Sequence, residues 1–264
     1  MLERAVSFRA DDLDLEGQIV VPAGARAILI LCHGTPSSSP PEPEDPGYPG
    51  LARALAERGS AAMWFNFRGC REAPGDFSFA GWCRDLEAAL DLISARDETR
   101  ALRPVLVGSS MGGMAAITVG ARRQEVAAVA TLAAVASITF DDLLPDAAQF
   151  IHEARNRGII RDPAFPHDLD AWAAEFDDLA ADRHVAAIAP RPVLLIHGDT
   201  DPAVSYAHAE RLFSLALEPK ELVRIPGGGH QLRRDPRAID ALTDWLERLG
   251  LAVDVRSVRV LNPP

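Results

Sequence analysis

The run Val105-Leu106-Val107-Gly108-Ser109-Ser110-Met111-Gly112-Gly113 carries an apolar stretch into G-x-S-x-G and on into a helix-forming segment. A turn from strand to helix this tight forces its central residue into the left-handed backbone region and demands small neighbours two positions away. Gly108 and Gly112 meet that demand. Ser110 Oγ then stands clear of the sheet edge, where the helix starting at Met111 aims its free N–H groups and positive dipole end. That chemistry is nucleophilic attack on an acyl carbon. The plain alternative is a glycine-rich turn with an ordinary N-cap serine, a task Ser109 would serve equally well.

A serine hydroxyl needs a base to take its proton as it attacks, and histidine suits that work best. Of the seven histidines, His230 follows a strand-like segment, Leu222 to Ile225, and the flexible run Pro226-Gly227-Gly228-Gly229. His152, His167, His184 and His208 lie in helical or loop segments without a glycine hinge and are expected in solvent. His197 ends a strand beside Gly198, where packing or a backbone hydrogen bond is its expected job. A carboxylate must hold the imidazole in the right tautomer and stabilise its charged form. Both Asp199 and Asp201 follow the strand-like Val193 to Ile196. Asp201 is preferred, with Asp199 read as a turn residue bonding its own backbone.

These residues lie far apart in sequence, so the elements between them must bring them together. Val6 to Val21 alternates like an antiparallel hairpin about Ala10 to Asp12. Ala27 to Cys32, Ala61 to Phe65, Val105 to Val107, Val126 to Leu132 and Val193 to Ile196 are short apolar runs, as in parallel strands buried on both faces. Helical spacing follows at Gly50 to Arg58, Gly81 to Ala95, Met111 to Arg122, Ser205 to Leu217 and Pro236 to Leu249. Strand then helix, repeated, means a wound parallel sheet in an α/β fold. Between Val135 and Val193 the connection is too long for a plain loop, at about fifty residues. Helical patterns at Phe140 to Arg157 and Leu169 to Ala181 suggest one domain over 1–264 with a cap inserted at 136–189. Phe140, Phe150, Trp172 and Phe176 would line a pocket beneath it or simply pack. The proline-rich stretch from Pro36 to Gly47 reads as a stiff loop, and the tail Leu251 to Pro264 alternates like a strand.

Composition narrows the partners. Lys and Arg total 27 against 38 Asp and Glu, and the net charge of -11 repels phosphate backbones and anionic headgroups. Neither nucleic acid nor a membrane is expected as a partner, and the arginine pairs Arg122-Arg123 and Arg233-Arg234 read as solvated helix ends. The opening MLERAVSFRADD lacks the basic flank and apolar run of a secretory signal, giving the expectation of a cytoplasmic protein. Cys32, Cys70 and Cys83 share no metal-ligand or disulfide spacing and are expected as reduced thiols. No phosphate loop, dinucleotide fingerprint or H-E-x-x-H is present, so neither a cofactor nor a metal is expected. Oligomeric state has no signal in the sequence.

Taken together, His33-Gly34 after a strand, the elbow at Ser110, H-G-x-x-D-x-x-V from His197 to Val204, and G-G-G-H ending at His230 resemble the α/β-hydrolase superfamily over nearly the whole chain. Asn66-Phe67-Arg68-Gly69 with Gly75-Asp76 is similar to the strand-end loop of esterases and of dienelactone-hydrolase-like or prolyl-oligopeptidase-like members. The resemblance implies a Ser110–His230–Asp201 triad and an oxyanion hole built from the N–H groups of Thr35 and Met111. One departure concerns pocket shape: Cys70-Arg71-Glu72 stand where many relatives carry a second glycine and a serine. The expected substrate is a carboxylic ester of a small or medium molecule, cleaved through an acyl-enzyme. A second reading is a peptidase or amidase, in which a cap carboxylate such as Asp170 or Glu175 holds a free amino terminus. A third is a hydrolase-like binding domain with idle catalytic parts, which the complete set of nucleophile, base and acid argues against.

Overall fold

In the computed structural model, residues 1–36, 44–138 and 147–253 are described. The chain opens with a hairpin of β1 (Leu2–Ala10) and β2 (Leu13–Val21), paired from Leu2 opposite Val21 to Ala10 opposite Leu13. Alternation fixes its sidedness, because Val6, Phe8 and Ala10 turn inward while the residues between them face solvent. The pattern then changes to burial on both faces, unbroken in β3 (Ala27–Cys32), β6 (Ala128–Leu132) and β7 (Val193–Gly198) and nearly so in β4 (Ala61–Phe65) and the centre of β5 (Arg103–Ser109), with β8 (Lys220–Ile225) at the edge. The order is β1-β2-β4-β3-β5-β6-β7-β8, antiparallel as far as β4 and parallel from β4 to β8.

Both faces of this sheet are covered, and β3 shows how one strand serves two cores. Ile28, Ile30 and Cys32 join the core that includes Trp82, Leu86, Met114 and Ile117. Leu29 and Leu31 join the opposite one with Leu51, Leu55, Leu242 and Trp245. The first face carries α2 (Phe79–Ala95) and α3 (Met111–Arg122). The second carries α1 (Gly47–Glu57) and, as the chain's final described helix, Pro236–Arg248. The helices read from the sequence at Gly50 to Arg58, Gly81 to Ala95, Met111 to Arg122, Ser205 to Leu217 and Pro236 to Leu249 are present, shifted at most three residues at their ends, where capping rather than periodicity sets the boundary. Ser78, for example, starts α2 two residues early by accepting from Gly81 N at 2.9 Å. None of the described helices is long and apolar enough to cross a membrane.

Between β6 and β7 lie α4 (Ala147–Asn156), α5 (Leu169–Asp178) and the single turn α6 (Ala181–His184). Phe140 and the tail from 254 onward fall outside the described residues, as does most of the proline-rich stretch. Trp172 and Phe176 are buried and pack with Phe77 and Phe150, with centroids 5.0 to 6.1 Å apart, so for these two rings packing is the answer. Glu175 is half-buried, and its carboxylate accepts from Ser78 Oγ at 2.9 Å and from Ala80 N at 3.0 Å, at the N-terminus of α2. Arg161 donates to the carbonyls of Gly69, Arg71 and Ala73 at 3.1, 2.5 and 2.9 Å. Nor are all the paired arginines free ends. Arg123 bonds Asp91 and Glu125, and Arg233 bonds Asp45. α7 (Ala207–Leu215) follows β7, and the closing helix Pro236–Arg248 is α8.

Candidate active site

Parallel strands β3, β5, β7 and β8 end at one edge of the sheet, and each delivers a candidate residue there. At the end of β5, Ser110 holds φ 54° and ψ −125°, a conformation costly for a residue with a Cβ and maintained by its surroundings. Ser110 N donates to Leu132 O at 3.1 Å, and Ser110 O receives Gly113 N at 2.9 Å. The flanking glycines are required by backbone proximity. A Cβ on Gly112 would stand 2.3 Å from His33 O and 2.4 Å from Cys32 O, and one on Gly108 would stand 2.3 Å from Gly112 O. Gly34 is equally close: its Cβ would lie 2.8 Å from Ser110 Cβ. The end of β3 and the elbow therefore touch through main chain.

His33 orients that contact. Phe67 N donates to His33 Nε2 at 3.0 Å, so the proton sits on Nδ1, which donates to Gly34 O at 2.7 Å. Burial holds the ring neutral by pushing its pKa down to about 4. In a trans peptide the C=O and the next N–H point opposite ways, so turning Gly34 O back onto His33 turns the Thr35 N–H outward. Neither Thr35 N nor Met111 N donates a hydrogen bond among the described residues. Thr35 also lines a cavity with Phe150, Glu153, Ala154, Arg157 and Ile159, between the end of β3 and α4.

Across the edge, the side chain of Asp201 is completely buried. Its Oδ1 accepts from Ala203 N at 2.8 Å and Val204 N at 2.9 Å, and its Oδ2 faces His230 Nδ1 at 2.8 Å. An ionised carboxylate only accepts, so Nδ1 carries the proton and Nε2 is left free to act as a base. Asp199 takes a different part: it receives Gly227 N at 2.6 Å and the Arg224 guanidinium at 2.8 Å. Thr200 N and Oγ1 each reach Gly228 O at 3.1 Å. The glycine run before His230 is thus pinned to the β7 loop, and Asp199 bonds a neighbouring strand's turn as well as its own backbone N–H. Ser110 and His230 share no hydrogen bond, so the structure joins His230 to Asp201 and leaves Ser110 apart.

Two other histidines belong to this neighbourhood. His197 Nε2 donates to Val204 O at 2.9 Å, lies 3.5 Å from Asp201 Oδ2, and is pushed toward the neutral form by burial. His208, expected in solvent, is half-buried and accepts from Ala136 N at 3.2 Å, which ties α7 to the chain just after β6. The orienting role of His33 had no signal beyond its place in strand-His-Gly, because its acceptor bond comes from Phe67 on another strand's end. All three cysteines are buried thiols, with burial raising Cys70 and Cys83 to about 12.

A wound sheet with a nucleophile elbow at its carboxyl edge defines the class of α/β hydrolases. The model for the alpha/beta hydrolase family matches residues 29–245, and the chain belongs to that family. The uncharacterized protein YfhR of Escherichia coli K12 is 30% identical over 199 residues, covering 74% of this chain and 58% of YfhR. This chain spans 58 to 66% of the length of its YfhR relatives. Dipeptidyl aminopeptidase BIII of Pseudoxanthomonas mexicana is 27% identical over 256 residues, covering 89% of this chain and 34% of that protein. Among solved structures, the esterase domain of a Rhodothermus marinus protein superposes with a TM-score of 0.68 at 25% identity, over 94% of this chain and 99% of that one. A dienelactone hydrolase from Anabaena variabilis, 23% identical with a TM-score of 0.64, shares the fold over 94% of this chain and 97% of its own.

Proposed function

We propose that the protein hydrolyses carboxylic esters of small or medium molecules through an acyl-enzyme on Ser110. The observation that carries this reading is the Asp201–His230 pair at 2.8 Å, on the sheet edge where the strained elbow raises Ser110. His230 Nε2 takes the Ser110 proton as Oγ attacks the acyl carbon, and Asp201 stabilises the imidazolium. The carbonyl oxygen becomes an oxyanion held by the N–H groups of Thr35 and Met111, neither of which is committed elsewhere among the described residues. His230 then protonates the leaving alcohol, and a water activated by the same imidazole releases the acid. Substrate binding closes the remaining separation between Ser110 and His230, as catalytic hydrogen bonds tighten in the occupied site.

Residues 136–189 act as a cap in this reading, with α4 forming the wall of the cavity that includes Thr35. The likeness to an aminopeptidase favours a second reading, cleavage of short peptides or acylated amino acids. Its carboxylate candidates are weaker than the sequence suggested, because Glu175 is spent on Ser78 and Ala80 and Asp170 is exposed. Labelling by a fluorophosphonate probe, abolished in Ser110→Ala, tests the nucleophile. Turnover of p-nitrophenyl butyrate against aminoacyl p-nitroanilides tests the substrate class, and faster cleavage of the anilides would make peptidase the leading reading.

A further inference from the structure

Around the triad, His230 is anchored on one side only. Asp199 and Thr200 hold Gly227 and Gly228, a Cβ on Gly229 would meet nothing within 4 Å, and among the described residues the imidazole bonds Asp201 alone. Immediately after His230 the chain makes a tight turn, with Leu232 N donating to His230 O at 3.0 Å and a 3-10 helix over Leu232–Arg234. At its centre, Arg233 reaches across 188 residues to Asp45 in a two-pronged pair, Nη1 to Oδ1 at 2.6 Å and Nη2 to Oδ2. The two side chains are only 18% and 11% exposed, so the pair is shielded from the competition that weakens surface ion pairs.

Asp45 is itself fixed, because its Oδ1 also accepts from Gly47 N at 2.8 Å at the entry to α1. The Arg233 guanidinium lies 5.5 Å from the centre of the Tyr48 ring. Tyr48 has the Ser109 hydroxyl beside its own oxygen, and its ring is 6.0 Å from that of His33. One cluster thus joins the turn that carries the base to the residue preceding the nucleophile and to the histidine that orients Gly34.

We infer that Asp45, Arg233 and Tyr48 form a latch that positions His230 for the reaction at Ser110. The inference rests on the proposed roles of Ser110 and His230, and it makes Asp45 and Arg233 positioning residues that touch no substrate. Without the latch the base keeps its bond to Asp201 but its turn is free to swing, so the fraction of encounters in which Nε2 faces Ser110 Oγ falls. Binding of substrate, which involves the Thr35 cavity, is left alone.

The test is the single-turnover rate of Ser110 labelling by a fluorophosphonate, with hydrogen exchange of residues 226–235 measured alongside. In Asp45→Asn and Arg233→Gln the maximal labelling rate is expected to fall about tenfold while the half-saturating probe concentration moves less than about twofold. Arg233→Lys keeps the charge and the fold but loses one prong, and falls between those variants and the wild type. Exchange rises in 226–235 and stays unchanged in β5 and α3. Labelling within about twofold of wild type in both Asp45→Asn and Arg233→Gln overturns the latch, as does exchange that is unchanged at 226–235 or raised throughout the sheet. A wild type that the probe never labels defeats the serine-hydrolase reading instead, and the exchange result still decides whether Arg233 fastens the turn.

Discussion

Asp201 and Asp199 are two positions apart on one loop, yet their surroundings assign them different work. The side chain of Asp201 is buried, with two main-chain donors on one oxygen and His230 on the other, whereas Asp199 is drawn to Gly227 and Arg224. In the proposed mechanism Asp201→Asn removes the charge that stabilises the imidazolium and permits the wrong tautomer, so kcat on p-nitrophenyl butyrate is expected to drop by about 10³ to 10⁴ with KM little changed. Asp199→Asn only loosens the hinge, and a loss of no more than about tenfold is expected in the same assay. The preference for Asp201 comes from the resemblance of H-G-x-x-D-x-x-V to the family's pattern, and it is the assignment the proposed function uses. The bonds of Asp199 to Gly227 and Arg224 were not legible, because those partners come from the next strand and no local pattern records them.

Elements carry a second set of consequences, since the elbow works only if two main chains lie almost in contact. Gly112→Ala would drive a methyl group against the carbonyls of Cys32 and His33, neither of which is a side chain able to rotate away. A loss of at least about 3 kcal/mol is expected from urea unfolding, together with loss of labelling. Glu175→Gln removes a negative charge from the N-terminus of α2 and weakens two hydrogen bonds that fasten α5 there. A loss of about 1 to 2 kcal/mol is expected in the same measurement, with the sheet intact. At this scale the sequence was most readable where burial is uniform: the continuous apolar runs of β3 to β7 and the heptad-like spacing of Pro236–Arg248 announce themselves. The order in which strands lie, with β4 between β2 and β3, is set by crossovers and leaves no periodic trace. Likewise, nothing near Glu175 in sequence shows that it is captured, because the donors that bind it are about a hundred residues upstream.

For the molecule as a whole, the histidines around the site make stability depend on pH. His33, His197 and His208 all have pKa values lowered chiefly by burial, His33 to about 4. A histidine that resists protonation when folded binds more protons when unfolded, so its contribution is intact above the ordinary value near 6.5 and is lost as pH falls toward the folded value. For His33 the window runs from 6.5 down to about 4, and the loss there is about 1.4 kcal/mol per pH unit. Asp45 responds differently: Arg233 holds its carboxyl below the ordinary range, so the stability it adds persists above pH 4 and goes only in stronger acid. Urea midpoints are therefore expected to begin falling near pH 6.5, and a midpoint flat from pH 7.5 to 5 would contradict the neutral, bonded state of His33. Finally, Arg161 bears on how such proteins can be recombined. By gathering the carbonyls of Gly69, Arg71 and Ala73, it welds the segment between β6 and β7 to a loop that precedes it by some ninety positions. A chimera that transplants the segment alone from a relative leaves those three oxygens without their guanidinium. Exchangeable units in this chain are pairs of distant pieces, not contiguous blocks.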